Sequence, residues 1–198
     1  MNQAMRDKSV VSRVVLTVLV VILGGLALAD FNDRLSRTPS ANEARAIHSR
    51  QKIKAEVSER FQQGVVMLHA KRFEDALTAF HRVIELTPEM PEAHVNMGYA
   101  LLGLQRYEAA RDFFESATAL RPNQVNAYYG LAEALEGLHD MPGALGAMRT
   151  YLHLAPAEDP YRRKAESAIW EWDEALRLQQ QKQQESPAAN PGESADKR

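Results

Sequence analysis

Small and apolar residues recur along the middle of this chain with a spacing of 34 residues, marked by Pro88, Pro122 and Pro156. Four further sets share that period: Gly64, Gly98 and Ala132; Ala76, Ala110 and Ala144; Phe80, Phe114 and Met148; and Leu86, Leu120 and Leu154. A fixed period of about 34 residues is typical of a solenoid of helix–turn–helix units. The pattern therefore predicts three units of two helices each, with about fourteen residues per helix. Their ranges are 57–90, 91–124 and 125–158.

The repeated positions have a packing reason. Glycine or alanine allows the two helices of a unit to approach closely, and a large residue such as Phe80 or Phe114 fills the space between successive pairs. In the second unit we expect helices over about 92–104 and 107–120. The proline just past each second helix stops it and starts the next unit.

Apolar positions continue after the third unit on one face of a further helix. Asp159 and Pro160 are typical of an N-cap followed by the first helical position, so a helix is predicted over 159–182. Its apolar face carries Ala165, Ala168, Ile169, Trp172 and Leu176. Because the last pair of a solenoid would otherwise expose its core, we expect this helix to cap the array. The segment 183–198 has no large apolar residue and is expected to be disordered.

The segment before the units, 30–56, is polar. Ser40 and Glu43 have the spacing of a capping box, and neither proline nor glycine follows until Gly64. We therefore expect a helix that starts near Ala41 and whose first part lies in solvent. Two interpretations remain open for this mostly helical segment: a spacer next to a membrane, or a dimerisation or docking helix.

A run of sixteen uncharged residues, 14–29, follows a short basic tail, 1–13. At about 1.5 Å per residue it is slightly short for a bilayer core of about 30 Å. It is predicted to be a single transmembrane helix that acts as an uncleaved signal anchor. The alternative is a signal peptide cleaved after Ala29, because Ala27-Leu28-Ala29 is an A-x-A site and Gly24-Gly25 precedes it.

The charges beside this run suggest an orientation. Lysine and arginine are equally frequent before and after it, but those before it lie closer. We therefore expect the units outside the cytoplasm. In a bacterium with two membranes, this places an anchored protein in the inner membrane with its repeats in the periplasm. Cleavage would instead give a soluble periplasmic protein.

Composition and motifs give no sign of catalysis. The formal net charge of −2 supplies no basic field for nucleic acid, and the absence of cysteine excludes disulfides, thiolate metal sites and a thiol nucleophile. None of the six histidines has another three or four residues away, as a helical metal pair requires. P-loop, HExxH and GxSxG motifs do not occur. We predict a protein that is not an enzyme and that has no cofactor or metal.

The order of small, aromatic and proline positions resembles the tetratricopeptide repeat (TPR). The best match is the second unit, through Gly98, Leu101, Tyr107, Ala110, Phe114, Ala117 and Pro122. Departures occur at Arg60 and His94, in place of a large apolar residue, and at Ala132, in place of glycine. The resemblance implies an all-α fold, a right-handed TPR solenoid of three helix–turn–helix repeats. The flanking segments add a C-terminal capping helix and a single N-terminal hydrophobic helix.

The resemblance also implies a concave groove lined by the second, fifth, ninth and twelfth positions of each unit. These positions hold Ser58, Phe61, Val65 and Leu68; Glu92, Val95, Tyr99 and Leu102; and Asn126, Tyr129, Glu133 and Glu136, and all but Ser58 are candidates for binding a partner. The first two-thirds are mostly apolar and the last third is acidic. Such a surface suits an amphipathic helix or an extended segment with apolar anchors and some basic residues. Capture of a C-terminal carboxylate is disfavoured, because apolar and aromatic residues stand where basic ones would help.

We therefore predict a membrane-anchored, non-enzymatic adaptor that binds a client protein or an assembly subunit in this groove. Its layout is similar to TPR subunits of cytochrome c maturation and to TPR proteins of pilus, secretion and envelope assembly. Two alternatives are a self-assembling scaffold, which would be a homo-oligomer, and a permanent accessory subunit of a membrane enzyme complex. The sequence does not identify the partner.

Overall fold

The computed structural model describes residues 40–185, in which seven α-helices and no strand occur. They are α1 Ala41–His69, α2 Phe73–Leu86, α3 Pro91–Gly103, α4 Tyr107–Leu120, α5 Val125–Gly137, α6 Met141–Leu154 and α7 Arg162–Glu185. Internal contacts divide the chain into two units, Met1–Gln51 and Lys52–Arg198. The tail 1–13, the membrane segment predicted at 14–29 and the C-terminal residues from 186 onward lie outside the described residues.

Helix α1 begins with both hydrogen bonds of the expected capping box. The Ser40 backbone N–H donates to Glu43 Oε2 over 2.7 Å, and the Glu43 N–H donates to Ser40 Oγ over 3.3 Å. These bonds satisfy two backbone donors that the first helical turn leaves without partners. Residues 40–55 are exposed, in agreement with the polar sequence. Among residues 40–185, no helix combines the length and the apolarity needed to cross a membrane.

The core of each unit pairs a large side chain of the second helix with a small residue of the first. Phe80 and Phe114 are fully buried. A Cβ atom at Gly64 would lie 2.6 Å from Phe80 Cε1, and one at Gly98 would lie 2.7 Å from Phe114 Cζ. No side chain at either position would fit without displacing the ring. In the third unit, Ala132 and Met148 occupy the corresponding positions within one buried cluster.

The helices pack in chain order from α2 to α7, and α3 also contacts α5. The Phe114 ring of α4 also lies against α5, because a Cβ atom at Gly130 in α5 would collide with it. The Phe114 side chain therefore fills the space between α4, to which it belongs, and the first helices α3 and α5. The result is a regular stack of antiparallel pairs, in which α3 and α5 lie side by side.

Each pair is closed by the same turn, with a non-glycine residue in the left-handed conformation. Lys71, Gln105 and His139 have φ angles of 57°, 56° and 61°. The following residue donates its N–H to a carbonyl five positions back: Arg72 to Met67, Arg106 to Leu101 and Asp140 to Leu135, each over 2.9 Å. This is the hydrogen bond of a Schellman motif, whose left-handed position favours glycine.

Helix α7 starts at Arg162, slightly later than predicted, and covers the end of the third unit. Asp159 Oδ1 accepts the Tyr161 N–H over 2.9 Å, which is the capping role predicted for this residue. The Arg162 guanidinium donates to the carbonyls of Leu152 and Ala155, both over 2.9 Å, and so ties α7 to the end of α6. Trp172 is buried against the last pair. The helix extends to Glu185, so the first residues of the predicted tail 183–198 are helical.

Candidate functional site

A cavity of about 840 Å³ opens on the side formed by the first helices of the pairs. Its lining also includes the loop between α4 and α5 and the beginning of α7. The residues that line it are Leu68, His69, Asn96, Tyr99, Arg121, Asn123, Gln124, Val125, Asn126, Tyr129, Glu133, Tyr151, Asp159, Tyr161 and Lys164. Four tyrosines and four side-chain amides dominate this surface, so it offers flat apolar rings together with donors and acceptors.

Tyr99 of α3 is held rigidly at this surface. Its hydroxyl donates to the carbonyl oxygen of Asn126 over 2.9 Å, and its ring packs edge-on against Phe114 with 5.1 Å between centroids. Burial raises the pKa of the Tyr99 hydroxyl well above its usual range. The hydroxyl therefore stays protonated and keeps α3 and α5 joined at every ordinary pH.

Tyr129 of α5 lies at the centre of an aromatic group. Its ring centroid is 5.1 Å from that of Tyr151 and 5.7 Å from that of Tyr161. Burial raises the pKa of the Tyr129 hydroxyl. The Lys164 ammonium lies 5.4 Å from the Tyr129 ring centroid, within the range of a cation–π interaction.

The carboxylates of α5 are engaged by α7. Lys164 Nζ lies 3.3 Å from Glu133 Oε1, and Trp172 Nε1 donates to Glu136 Oε1 over 2.9 Å. Burial raises the pKa of the Glu133 carboxyl, although Lys164 opposes this shift. The pKa of Lys164 is raised by its hydrogen bond to Tyr129 and by Glu133. The ion pair therefore favours the charged form of Lys164. It lowers the pKa of Glu133 by less than burial raises it.

A second cavity of about 260 Å³ adjoins the first between α5 and α7. Tyr129, Glu133 and Lys164 line both cavities. The residues that line only the smaller one are Glu136, Met148, Ser167, Ala168, Glu171 and Trp172. Lys164 therefore stands where the two cavities meet.

The opposite side of the large cavity is polar and internally hydrogen-bonded. Arg121 forms an ion pair with Glu92 and donates to Gln124 Oε1 over 3.0 Å. Gln124 Nε2 in turn donates to Asn126 Oδ1 over 2.8 Å, and Asn96 Nδ2 donates to the Glu92 carbonyl over 2.8 Å. This network orders the loop between α4 and α5, which supplies the polar wall of the cavity.

The structure brings together only part of the predicted groove. The predicted groove residues that line the large cavity are Leu68, Tyr99, Asn126, Tyr129 and Glu133. Val95 does not face the groove, because it is 1% exposed and belongs to the core. Phe61, Val65 and Leu102 are half-buried and pack against that core, while Glu92 pairs with Arg121 and Glu136 with Trp172. The acidic third is thus partly neutralised within the chain.

Sequence reasoning missed the lining residues that lie outside the repeated groove positions. They are His69, Asn96, Arg121, Asn123, Gln124, Val125, Tyr151, Asp159, Tyr161 and Lys164. Asp159 and Tyr161 directly precede α7 and Lys164 lies in its first turn, all within the segment 159–182 that was predicted only to cap the array. A usable signal was present, because Tyr161 and Lys164 precede the apolar stripe of α7 and stand at its first turn. That turn lies against α5 and its acidic side chains.

Comparison with known proteins identifies the repeats. The segments 68–125 and 96–159 each match the family model described as tetratricopeptide repeat. Together the two matches span residues 68–159. The described part as a whole is a TPR-like solenoid of seven helices. In TPR terms, α3 and α5 are first helices, α4 and α6 are second helices, and α7 follows the last repeat.

Solved TPR structures share this fold at low sequence identity. The TPR domain of Arabidopsis OM64 is 20% identical, with a TM-score of 0.58 over 62% of this chain and 98% of that one. The TPR2B domain of yeast Sti1, in its complex with pHsp70, is 19% identical, with a TM-score of 0.58 over 61% and 98%. PcrH in complex with the chaperone binding region of PopD is 17% identical, with a TM-score of 0.59 over 62% and 95%. No curated protein sequence matches the chain.

Proposed function

We propose that this protein is a non-enzymatic adaptor whose TPR cavity binds a segment of a partner protein. The cavity of about 840 Å³ carries the proposal, because its size and its lining of tyrosines and amides suit a peptide. Tyrosine rings lose little conformational entropy on binding and often dominate the energy of a protein interface. The amides around them supply partners for the backbone groups of a bound segment.

The similar solved structures support this class of partner. PcrH and the TPR2B domain of Sti1 were each solved with a bound protein segment. Their identities to this chain lie below 20%, so the likeness is one of fold.

Photo-crosslinking in native cells tests the proposal. A crosslinking amino acid would replace Asn126, which is exposed at the cavity, or Glu115, which is exposed on α4 outside it. We expect a discrete protein adduct from Asn126 and none from Glu115, each identified by mass spectrometry. Equal adducts at both positions, or none at Asn126, would contradict a cavity that binds a partner.

We further propose that the segment 14–29 anchors the protein in a bacterial inner membrane, with its TPR domain in the periplasm. The proposal rests on the uncharged run and on the basic residues that precede it. Such an adaptor would serve the assembly of an envelope, cytochrome c, pilus or secretion complex. Alkaline extraction of membranes should leave the full-length chain in the pellet. A soluble form that begins after Ala29 would instead show cleavage.

A self-assembling scaffold is the second candidate. Helix α7 exposes Trp170 and Leu178, which are two turns of the helix apart and project about 80° from each other around its axis. Two copies that meet along this exposed part of α7 would bury both residues. Light scattering of the purified protein tests it, since a mass that stays monomeric over a wide concentration range rules out self-assembly.

A further inference from the structure

Lys164 occupies a site that is built for a cation. Its ammonium lies 3.3 Å from Glu133 Oε1 and 5.4 Å from the Tyr129 ring centroid. Yet 67% of the Lys164 side chain is exposed, whereas only 31% of the Glu133 side chain is. The carboxylate and the ring belong to the packed interior of the site, but the lysine reaches them from solvent. A long exposed side chain can leave such a position at little cost.

The walls around Lys164 carry an excess of acidic residues. Glu133, Glu136, Glu171 and Asp159 line the two cavities. The lining holds one lysine and one arginine, Lys164 and Arg121, besides the imidazole of His69, and Arg121 is already paired with Glu92. Within these linings, Lys164 is therefore the one lysine or arginine that is not held by Glu92, and it serves Glu133 while Glu136, Glu171 and Asp159 add three further carboxylates. This imbalance favours an additional positive charge.

Aromatic residues belong to the linings that Lys164 shares, and the Tyr129 ring lies directly beside its ammonium group. Tyr129 lies in the lining of both cavities, and Trp172 in that of the smaller one. The Trp172 indole N–H donates to Glu136 Oε1, which fixes the position of the ring. Aromatic faces attract cations, and the attraction grows where water is excluded.

We propose that this site binds a lysine or arginine side chain of the partner segment, which takes the place of Lys164 beside Glu133 and Tyr129. The proposal rests on the proposed function, because it concerns the same cavity. When Lys164 swings into solvent, the two cavities join and the cationic side chain enters between α5 and α7. The rest of the segment then lies over Tyr99 and the amides of the large cavity.

Capture of three synthetic peptide libraries by the full-length protein in mild detergent tests this inference. Each library contains dodecapeptides whose sixth residue is fixed as lysine, glutamine or glutamate, with lysine and arginine left out of the random positions. We expect the lysine library to be retained about tenfold more than the glutamine library, and the glutamate library least. The preference should decline as salt is raised, because the charges are partly exposed.

Two variants with opposite expected effects separate recognition from folding. Lys164→Gln removes the internal competitor and should increase capture of the lysine library about threefold. Glu133→Gln should abolish the difference between the lysine and glutamine libraries. Glu115→Gln, on an exposed position outside the cavities, should leave all three captures unchanged. A loss of structure would not raise the capture of the lysine library selectively, so Lys164→Gln keeps the test informative if Glu133→Gln fails to fold.

The outcomes distinguish this inference from the proposed function. Capture that is equal for lysine and glutamine, or lower in Lys164→Gln, overturns the cationic anchor and leaves a peptide-binding cavity intact. Absence of capture from all three libraries overturns the inference too. The proposed function would be contradicted together with this inference only if the crosslinker at Asn126 also captured no partner.

Discussion

Phe114 and the glycines beside it show how one residue controls the packing of this fold. Gly98→Ala would place a Cβ 2.7 Å from Phe114 Cζ, so the buried ring must move. We expect a loss of about 1–3 kcal/mol in the free energy of unfolding, because overpacking outweighs the better helix propensity of alanine. Urea denaturation of the purified protein measures it.

Gly146→Ala is the matched control for this change. Gly146 lies within α6, and a Cβ there would meet nothing within 4 Å. The same substitution should therefore stabilise the protein by about 0.5–1 kcal/mol, through helix propensity alone. A similar effect of both substitutions would mean that contact with Phe114 is not what requires glycine at position 98.

The left-handed residues in the turns store a small amount of strain. His139 has a φ of 61° without being glycine, so the His139→Gly protein should be more stable by about 1 kcal/mol. Thermal unfolding followed by circular dichroism measures the shift. His139→Ala removes the same side chain but cannot relieve the strain. An equal gain from alanine would therefore trace the effect to the imidazole instead.

Helix α7 has a buried face and an exposed face, and each of them carries one of its two tryptophans. Trp172 is 6% exposed and bonded to Glu136, whereas Trp170 is 71% exposed. We expect Trp172→Ala to cost about 3–5 kcal/mol and Trp170→Ala less than about 0.5 kcal/mol. Thermal melts of both variants provide the comparison. Comparable losses would show that α7 is anchored along a different face.

The contact between α5 and α7 makes stability depend on pH. Burial raises the folded-state pKa of Glu133 above its usual 4.5. The stability that Glu133 contributes is therefore fully present below the unfolded-state pKa and is lost as pH rises through the folded-state pKa. Glu133→Gln should match the wild type near pH 4 and exceed it increasingly toward neutral pH. Urea unfolding between pH 4 and 8 tests this, and a variant that weakens as pH rises would refute it.

The helices were far easier to predict from sequence than the site. Packing within a repeat is local and periodic, so Gly98, Ala110 and Phe114 indicate their partners by spacing alone. For α3 and α4 the structure gives Pro91–Gly103 and Tyr107–Leu120, where the sequence predicted 92–104 and 107–120. The cavity instead depends on residues that do not repeat. Lys164 reaches α5 only once α7 is folded against the last pair, and no period reveals that contact.

The groove positions themselves were only partly informative, for a physical reason. A first helix lies between its own second helix and the neighbouring pairs, so few of its side chains remain accessible. Val95 occupies a family groove position and is nevertheless buried, whereas Asn96, one residue later, lines the cavity. A difference of one residue turns a side chain by about 100° around the helix axis, which is enough to exchange these two roles.

For the molecule as a whole, stability should vary along the stack. Helices α3, α4 and α5 pack against neighbours on both sides, whereas α7 packs only against the last pair. In an array of this kind the terminal helices open first. Native-state hydrogen exchange should therefore find the slowest amides in α3–α5 and faster ones in α7. Equal protection throughout residues 73–185 would indicate a single cooperative unit.

The identical turns after α1, α3 and α5 have an evolutionary consequence. Each uses the same left-handed residue and the same backbone hydrogen bond, at positions 34 residues apart. A duplicated copy of residues 91–124 would therefore find compatible surfaces on both sides wherever it joined the stack. Gene duplication or loss can then lengthen or shorten the protein in steps of two helices, and the side formed by the first helices would change in length by the same steps.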